Sequence, residues 1–247
     1  MKSSRSDIHR KTHALPLLRF EDQQLTSFSG LVVFQKLFES LALKDRLRRC
    51  FKHLAIRPIF GHANIVLLLV IHLLLGFREL RHLRYYEDDP LVRRLLGLKR
   101  LPDVATISRQ LAAMDSKSIR NLQQLQQALV RERLRLLALR RITMDFDGSV
   151  IGTGRFAEGA AIGFNRKKKG QRSYYPLFCT VAQTGQVLAV LHRAGNVHDS
   201  KGAQAFILNC IEQIKKALPG VTIEVRMDSA FFSDAIVSAL DEAQIDY

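Results

Sequence analysis

The chain has 247 residues, 47% of them hydrophobic, and 38 Lys and Arg against 23 Asp and Glu, for a formal net charge of +15. That length and apolar content are enough for a substantial core, in one large domain or two modest ones, and they exclude a disordered chain. A positive field of this size draws polyanions, of which nucleic acid is the commonest; acidic membrane surfaces and acidic proteins are the alternatives.

In chain order, residues 1–25 are polar and basic without a sustained period, a basic N-terminal arm ending in a short strand at Leu17–Phe20. They contain no apolar segment of the kind that directs secretion. Leu31, Val32, Phe34, Leu37, Phe38, Leu41 and Leu43 then form one apolar stripe of a helix that stops near Lys44. Ile65–Phe77 is the most lipid-like run, but it falls short of the ~20 residues that a bilayer requires, and it reads as a buried helix. Leu80 and Leu83, with Arg between them, continue it as a helix with a cationic face. Pro90 breaks that helix, a short helix runs to Gly97, and Asp103 caps the next one, whose first turns present Thr106, Ser108 and Arg109. This arrangement has the form of a helix-turn-helix reader of DNA, with plain packing of a helix pair as the alternative. Ser118–Leu139 reads as one long helix with Leu122, Leu125, Leu129, Leu136 and Leu139 inward, followed by a domain boundary near Arg141.

Beyond that boundary the period changes to two. Asp145 and Asp147 sit at alternate positions of a strand, so they share one face while Ile142, Met144 and Phe146 take the other. Gly152–Arg172 is too rich in glycine for regular structure, and its Arg166, Lys167, Lys168, Lys169 and Arg172 form the densest positive patch in the chain. It lacks the spacing of a phosphate-binding P-loop. Ser173–Ala182 and Val187–Leu191 read as an antiparallel hairpin around Gln183–Gln186. His198 and Asp199 lead, as caps, into a helix with Ala203, Phe206, Ile207, Cys210, Ile211, Ile214 and Leu218 inward and Pro219-Gly220 as its stop. Val221–Asp228 is a further strand, Ser233–Ala243 a helix, and Ile245–Tyr247 the start of another strand. Cys50, Cys179 and Cys210 are widely spaced and read as core residues of a reducing compartment.

Two strands that each deliver a carboxylate to one sheet edge can hold a hard divalent cation; ordinary turn aspartates are the bland alternative. Strand, strand, strand, helix, strand, helix, with acids on the first and fourth strands, is the order of the ribonuclease H-like fold. The expected class is therefore α/β: an incomplete ribonuclease H-like mixed sheet over residues 140–247, preceded by an all-α domain over 26–139.

The sequence resembles the DDE transposases of bacterial insertion sequences, and most of all the group-one DDE family numbered thirteen-eighty. The residues that carry the likeness are Leu101-Pro102-Asp103 with Thr106 and Arg109, Asp145–Ser149, Glu158-Gly159-Ala160 with Gly163-Phe164-Asn165, Arg172–Leu177, Gly195-Asn196 with Asp199, and Arg226–Phe231. The resemblance implies a transposase that binds the terminal inverted repeats of an element and target DNA, and cleaves and transfers strands with two Mg²⁺ or Mn²⁺ ions. It implies self-association in a transposition complex, no membrane, and a cytoplasmic, nucleoid-associated location in bacteria. Asp147 matches the first catalytic and metal-binding acid, with Asp145 as the alternative on the same face, and Asp228 matches the second. The third acid, a Glu, has no counterpart, since Glu224 precedes Asp228 and Glu242 follows it too closely. A truncated, inactive transposase is therefore expected, with a non-catalytic DNA-binding regulator as the alternative. Thr106, Ser108, Arg109 and the 166–172 cations are the expected DNA contacts.

Overall fold

A computed structural model describes residues 25–56, 58–163, 168–231 and 233–247. The N-terminal arm with its expected strand, and Arg166 and Lys167, lie outside the described residues. The chain divides into two compact units, one of residues up to Lys44 with Pro58–Gln110, the other of Asp45–Arg57 with Leu111–Tyr247.

The first unit is helical, with α1 (Leu31–Ser40), the start of α2 (Leu43–Cys50), α3 (His62–Leu74), a 3₁₀ turn at Leu80–Tyr85, α4 (Pro90–Leu96) and α5 (Val104–Ala112). Ile65, Leu67, Leu68 and Ile71 bury the apolar run as expected. No helix among the described residues is long and apolar enough to cross a membrane. Asp89 caps α4 by accepting from the amides of Leu91 and Val92, Pro90 occupies the first helical position, and Gly97 ends the helix at φ 68°. Asp103 accepts from the Thr106 amide at 2.6 Å, the expected cap of α5. His72 is buried between the Tyr86 hydroxyl (2.7 Å) and the Glu79 carbonyl (3.1 Å).

The second unit begins with the rest of α2 and with α6 (Ser116–Leu137), started by Asp115, which accepts from the Ser118 amide at 2.7 Å. The boundary expected near residue 140 separates α6 from the sheet, whereas the structure groups α6 with the sheet. Val130 and Leu134 of α6 belong to the same core as the strands, and a helix with an apolar stripe settles where a large apolar surface is available. For the same reason Leu136, expected inward, is 79% exposed: Val130 and Leu134 lie on the face turned to the sheet, and Leu136 points away from it.

Among the described residues the strands that follow are β1 (Arg141–Gly148), β2 (Ile151–Gly152), β3 (Ala161–Ile162), β4 (Arg172–Tyr174), β5 (Leu177–Val181), β6 (Gln186–Leu191) and β7 (Thr222–Met227). The main sheet has the order β6-β5-β1-β7, with β5 antiparallel to both its neighbours and β7 parallel to β1. Helix α7 (Ala203–Ala217) connects β6 to β7, and α8 (Asp234–Glu242), capped by Ser233, follows β7. The chain then returns beside β7, where the Val225 amide donates to Asp246 O at 2.8 Å. This is the ribonuclease H-like order read from the sequence. Residues 173–182, expected as one strand, are two: β4 pairs with β2 and β3 in a separate small sheet, and β5 joins the main one. Pro176, between them, has no amide hydrogen to offer a ladder and marks the crossing.

The core lies on one face of the main sheet. Ile142, Met144, Phe146, Ile223 and Val225 pack there against Ile207, Cys210, Ile211 and Ile214 of α7 and Ile236 and Leu240 of α8. All three cysteines are buried and free.

Candidate functional site

With the apolar residues of β1 and β7 committed to the core, the alternate residues of both strands occupy the opposite face. Parallel register sets Thr143 beside Glu224 and Asp145 beside Arg226, and it ends at Phe146 and Met227. Two cross-strand rows result, and Asp147 and Asp228 each follow the last residue of this pairing.

In the first row the Thr143 hydroxyl donates to Glu224 at 3.0 Å, and Arg141 approaches Glu224 at 3.5 Å. In the second, Arg226 forks onto Asp145, with Nε donating to Oδ1 at 2.7 Å and Nη2 to Oδ2 at 3.0 Å. The hydrogen bonds to Asp145 and its charge raise the pKa of Arg226, so that guanidinium stays charged. Beyond the paired register come Asp147, near the end of β1, and Asp228, just after β7, both exposed. Asp228 accepts from the Ala230 amide at 3.0 Å, and among the described residues neither Asp147 nor Asp228 makes an ion pair. The structure places Asp147 near the end of β1 and Asp228 just past the end of the parallel β7, and it commits Asp145, the alternative first acid, to an arginine.

The flank of Asp147 is built by Tyr175, whose ring lies so close to Gly148 that a Cβ there would sit 2.5 Å from the phenol end. Burial first, then the neighbouring Asp199 carboxylate and more distantly Asp147, push the Tyr175 hydroxyl well above the ordinary phenol range, and it remains protonated. Arg193 is buried against the Tyr175 ring, 5.2 Å from its centroid, and donates to the carbonyls of Tyr175 (3.0 Å), Asp199 (2.8 Å), Lys201 (3.2 Å) and His198 (3.3 Å). Asp199 thus belongs to the wall beside Asp147 and caps nothing; α7 starts from Gly202 in a left-handed conformation with no side-chain cap. Gly163 and Gly195 let two loops touch, since a Cβ on Gly163 would fall 1.7 Å from the Gly195 carbonyl oxygen.

Of the expected DNA contacts, Thr106, Ser108 and Arg109 belong to the first unit and Lys168, Lys169 and Arg172 to the second. Ser108 and Arg109 are exposed on α5, where Arg109 donates to the Thr106 hydroxyl at 3.2 Å. Lys168, Lys169 and Arg172 border the small sheet, and Arg172 donates to Ala160 O at 2.7 Å. Arg226, Tyr175 and Arg193 carry no role in the sequence reading. For Arg226 a signal exists: it precedes Asp228 by two residues as Asp145 precedes Asp147, so in-register parallel pairing must set it opposite Asp145.

Carboxylate oxygens are the donors that Mg²⁺ and Mn²⁺ prefer, and Mg²⁺ is commonly held by one or two carboxylates plus water. Two exposed acids at the ends of adjacent strands, without an ion pair among the described residues, fit one such ion. No group of three or more His, Cys, Asp or Glu suited to a metal occurs among the described residues.

Strand order and orientation define a ribonuclease H-like domain with an acid at the end of each of two adjacent strands. The chain belongs to the family described as transposase DDE domain group 1, whose model matches residues 13–247. Among solved structures, a piggyBac transposase synaptic complex with hairpin DNA is similar at 13% identity and a TM-score of 0.40, over 87% of this chain and 49% of that one. The Drosophila P element transposase strand transfer complex is similar at 14% and 0.37, over 86% and 43%. The catalytic domain of Mos1 mariner transposase is similar at 11% and 0.29, over 50% and 56%. The chain thus spans between 43% and 56% of the length of these transposases. No curated protein sequence matches it.

Proposed function

We propose that this chain is the DNA-handling part of a DDE transposase of a bacterial insertion sequence. In this reading Asp147 and Asp228 hold a divalent cation, Mg²⁺ or Mn²⁺, against a DNA phosphate at an element end. The observation that carries it is the contrast along β1 and β7, in which Glu224 and Asp145 are compensated by neighbouring side chains while Asp147 and Asp228, the next acids along the two segments, make no ion pair among the described residues. Family membership and the formal charge of +15 support DNA as the polyanion. Thr106, Ser108, Arg109 and the 166–172 cations contact phosphates of the terminal repeats or target, self-association brings element ends together, and the protein works in the cytoplasm on the nucleoid.

A bound ion supplies Lewis acidity toward the phosphodiester and toward its attacking water or 3′-hydroxyl. The chain's own residues fix the geometry: Asp147 and Asp228 as ligands, Asp145 held off by Arg226, and Tyr175 walling one side. Two acids hold one ion and leave the second without its ligands, so cleavage by these 247 residues alone is negligible. The missing third carboxylate favours a second reading, a DNA-binding regulator without chemistry.

Mn²⁺ titration followed by electron paramagnetic resonance, together with a nicking assay on duplex DNA, tests the proposal. Mn²⁺ binding lost in Asp147→Asn and Asp228→Asn, without nicking, is the expected result. Wild-type binding of Mn²⁺ left unchanged by both substitutions, or no binding at all, favours the regulator, and robust nicking refutes the inactivity.

A further inference from the structure

We infer that Arg226 is a phosphate contact for DNA, held in place by Asp145 and reading the phosphodiester next to the one at the acid pair; this rests on the proposed reading of Asp147 and Asp228 as the metal-binding pair. The fork onto Asp145 uses Nε and one hydrogen of Nη2. A guanidinium has five N–H donors, so three remain, two of them along the Nη1–Nη2 edge, and they meet no acceptor among the described residues. The side chain is 58% exposed, which leaves that edge open to solvent.

Asp145, opposite Arg226, precedes Asp147 by two residues of β1, which along a strand is about 6.6 Å on the same face. That separation is comparable to the distance between successive phosphates of one DNA strand. A strand whose phosphate is held at the acid pair therefore brings a neighbouring phosphate over Arg226. The carboxylate's part is to hold the guanidinium still, because a fork bound on one edge presents the other in a fixed plane and loses less rotamer freedom when an anion arrives. Asp145 thus acts as a positioning residue, and its charge keeps the face from attracting phosphate to the wrong row.

The test compares the full chain with its Asp145→Asn, Arg226→Gln double variant, binding a random-sequence duplex across a salt series at constant Mg²⁺. The double change removes one positive and one negative charge, so the long-range field of the protein is preserved while the local contact is lost. A single phosphate contact lowers the slope of log affinity against log salt by about 0.9. Between about 50 and 200 mM salt the wild type should therefore lose on the order of threefold more affinity than the variant. Equal slopes overturn the inference, because an ion pair that serves only the fold leaves them unchanged. Should the double variant fail to fold by circular dichroism, the ¹⁵Nε resonance of Arg226 in the wild type, assigned by its loss in Arg226→Lys, is followed on adding the duplex. A shift upholds the contact and an unmoved resonance overturns it. Mn²⁺ binding that depends on Asp147, alongside equal salt slopes, refutes only this inference. A wild type that binds no duplex refutes it together with the DNA reading.

Discussion

Asp145 and Asp147 lie two residues apart on one strand face, and neutralising them should change stability in opposite directions. For Asp147 the perturbation is Asp147→Asn, which keeps the shape and, in the proposed reading, removes one of two like charges at the ends of β1 and β7. At a carboxylate separation of roughly 6 Å in a water-like dielectric the repulsion is about 0.7 kcal/mol, less once salt screens it. Without divalent ions the variant should be more stable by up to that amount, a rise of about 1.5–3 °C in Tm for a protein of this size. Asp145→Asn instead strips the fork from Arg226 and should lower Tm. Adding Mn²⁺ reverses the ranking: a ligand at 100 times its Kd stabilises the wild type by about 2.7 kcal/mol, and Asp147→Asn forgoes that gain. Differential scanning calorimetry with and without Mn²⁺ reads both effects. If the two substitutions shift Tm in the same direction without metal, the compensation argument fails, and if Mn²⁺ stabilises Asp147→Asn as much as the wild type, Asp147 is not a ligand.

Gly195→Ala should unfold the small sheet, because its Cβ would lie 2.6 Å from Ser173 O and 2.8 Å from Ala161 O, backbone atoms that have little room to retreat; faster amide exchange at Ser173 against an unchanged Val225 would report it. Leu134→Ala, at a fully buried position of α6, should cost about 3 kcal/mol, measured from urea midpoints; a loss below ~1 kcal/mol would mean that α6 does not share the core of the sheet. His72 is buried, which lowers its pKa from the ordinary 6.5. The unfolded chain therefore takes up the proton first, so stability is full above about pH 6.5 and falls as the pH drops below it. A urea midpoint at pH 5.5 equal to that at pH 7.5 would contradict this.

Much of the architecture was legible because the two periodicities are clean. The set from Ala203 to Leu218 has helical spacing and a Pro219-Gly220 stop, and α7 follows it closely. Asp145 and Asp147 alternate with apolar residues, which fixes their shared face before any pairing is known. The misplaced features are those that depend on a distant partner. Leu129 and Leu136 in α6 suggest one stripe, Val130 and Leu134 another, and only the sheet surface selects between them. The same surface draws α6 into the second unit, a choice that an amphipathic pattern leaves open because it says that a face is buried and not against what. Proline was weighed at position 90 and not at position 176, where it divides what read as one strand. Arg226 went without a role because its partner is 81 residues away.

The acidic pair is informative because cations are abundant. With 38 Lys and Arg against 23 Asp and Glu, most acids have cations to spare, and the second unit uses them at once: Arg141 lies 3.5 Å from both Glu224 and Asp246, Arg226 forks onto Asp145, and Arg46 holds Glu132 at 2.5 Å. The buried cation that packs on Tyr175, Arg193, donates through Nε and Nη1 to four backbone carbonyls. Tyr175, protonated and held above its ordinary range chiefly by burial, adds no positive charge. Scarcity of positive charge therefore does not explain why neither Asp147 nor Asp228 makes an ion pair among the described residues. In the proposed reading both acids stay open to a cation from solution, which would be drawn further into place when the polyanion attracted by the rest of the surface arrives.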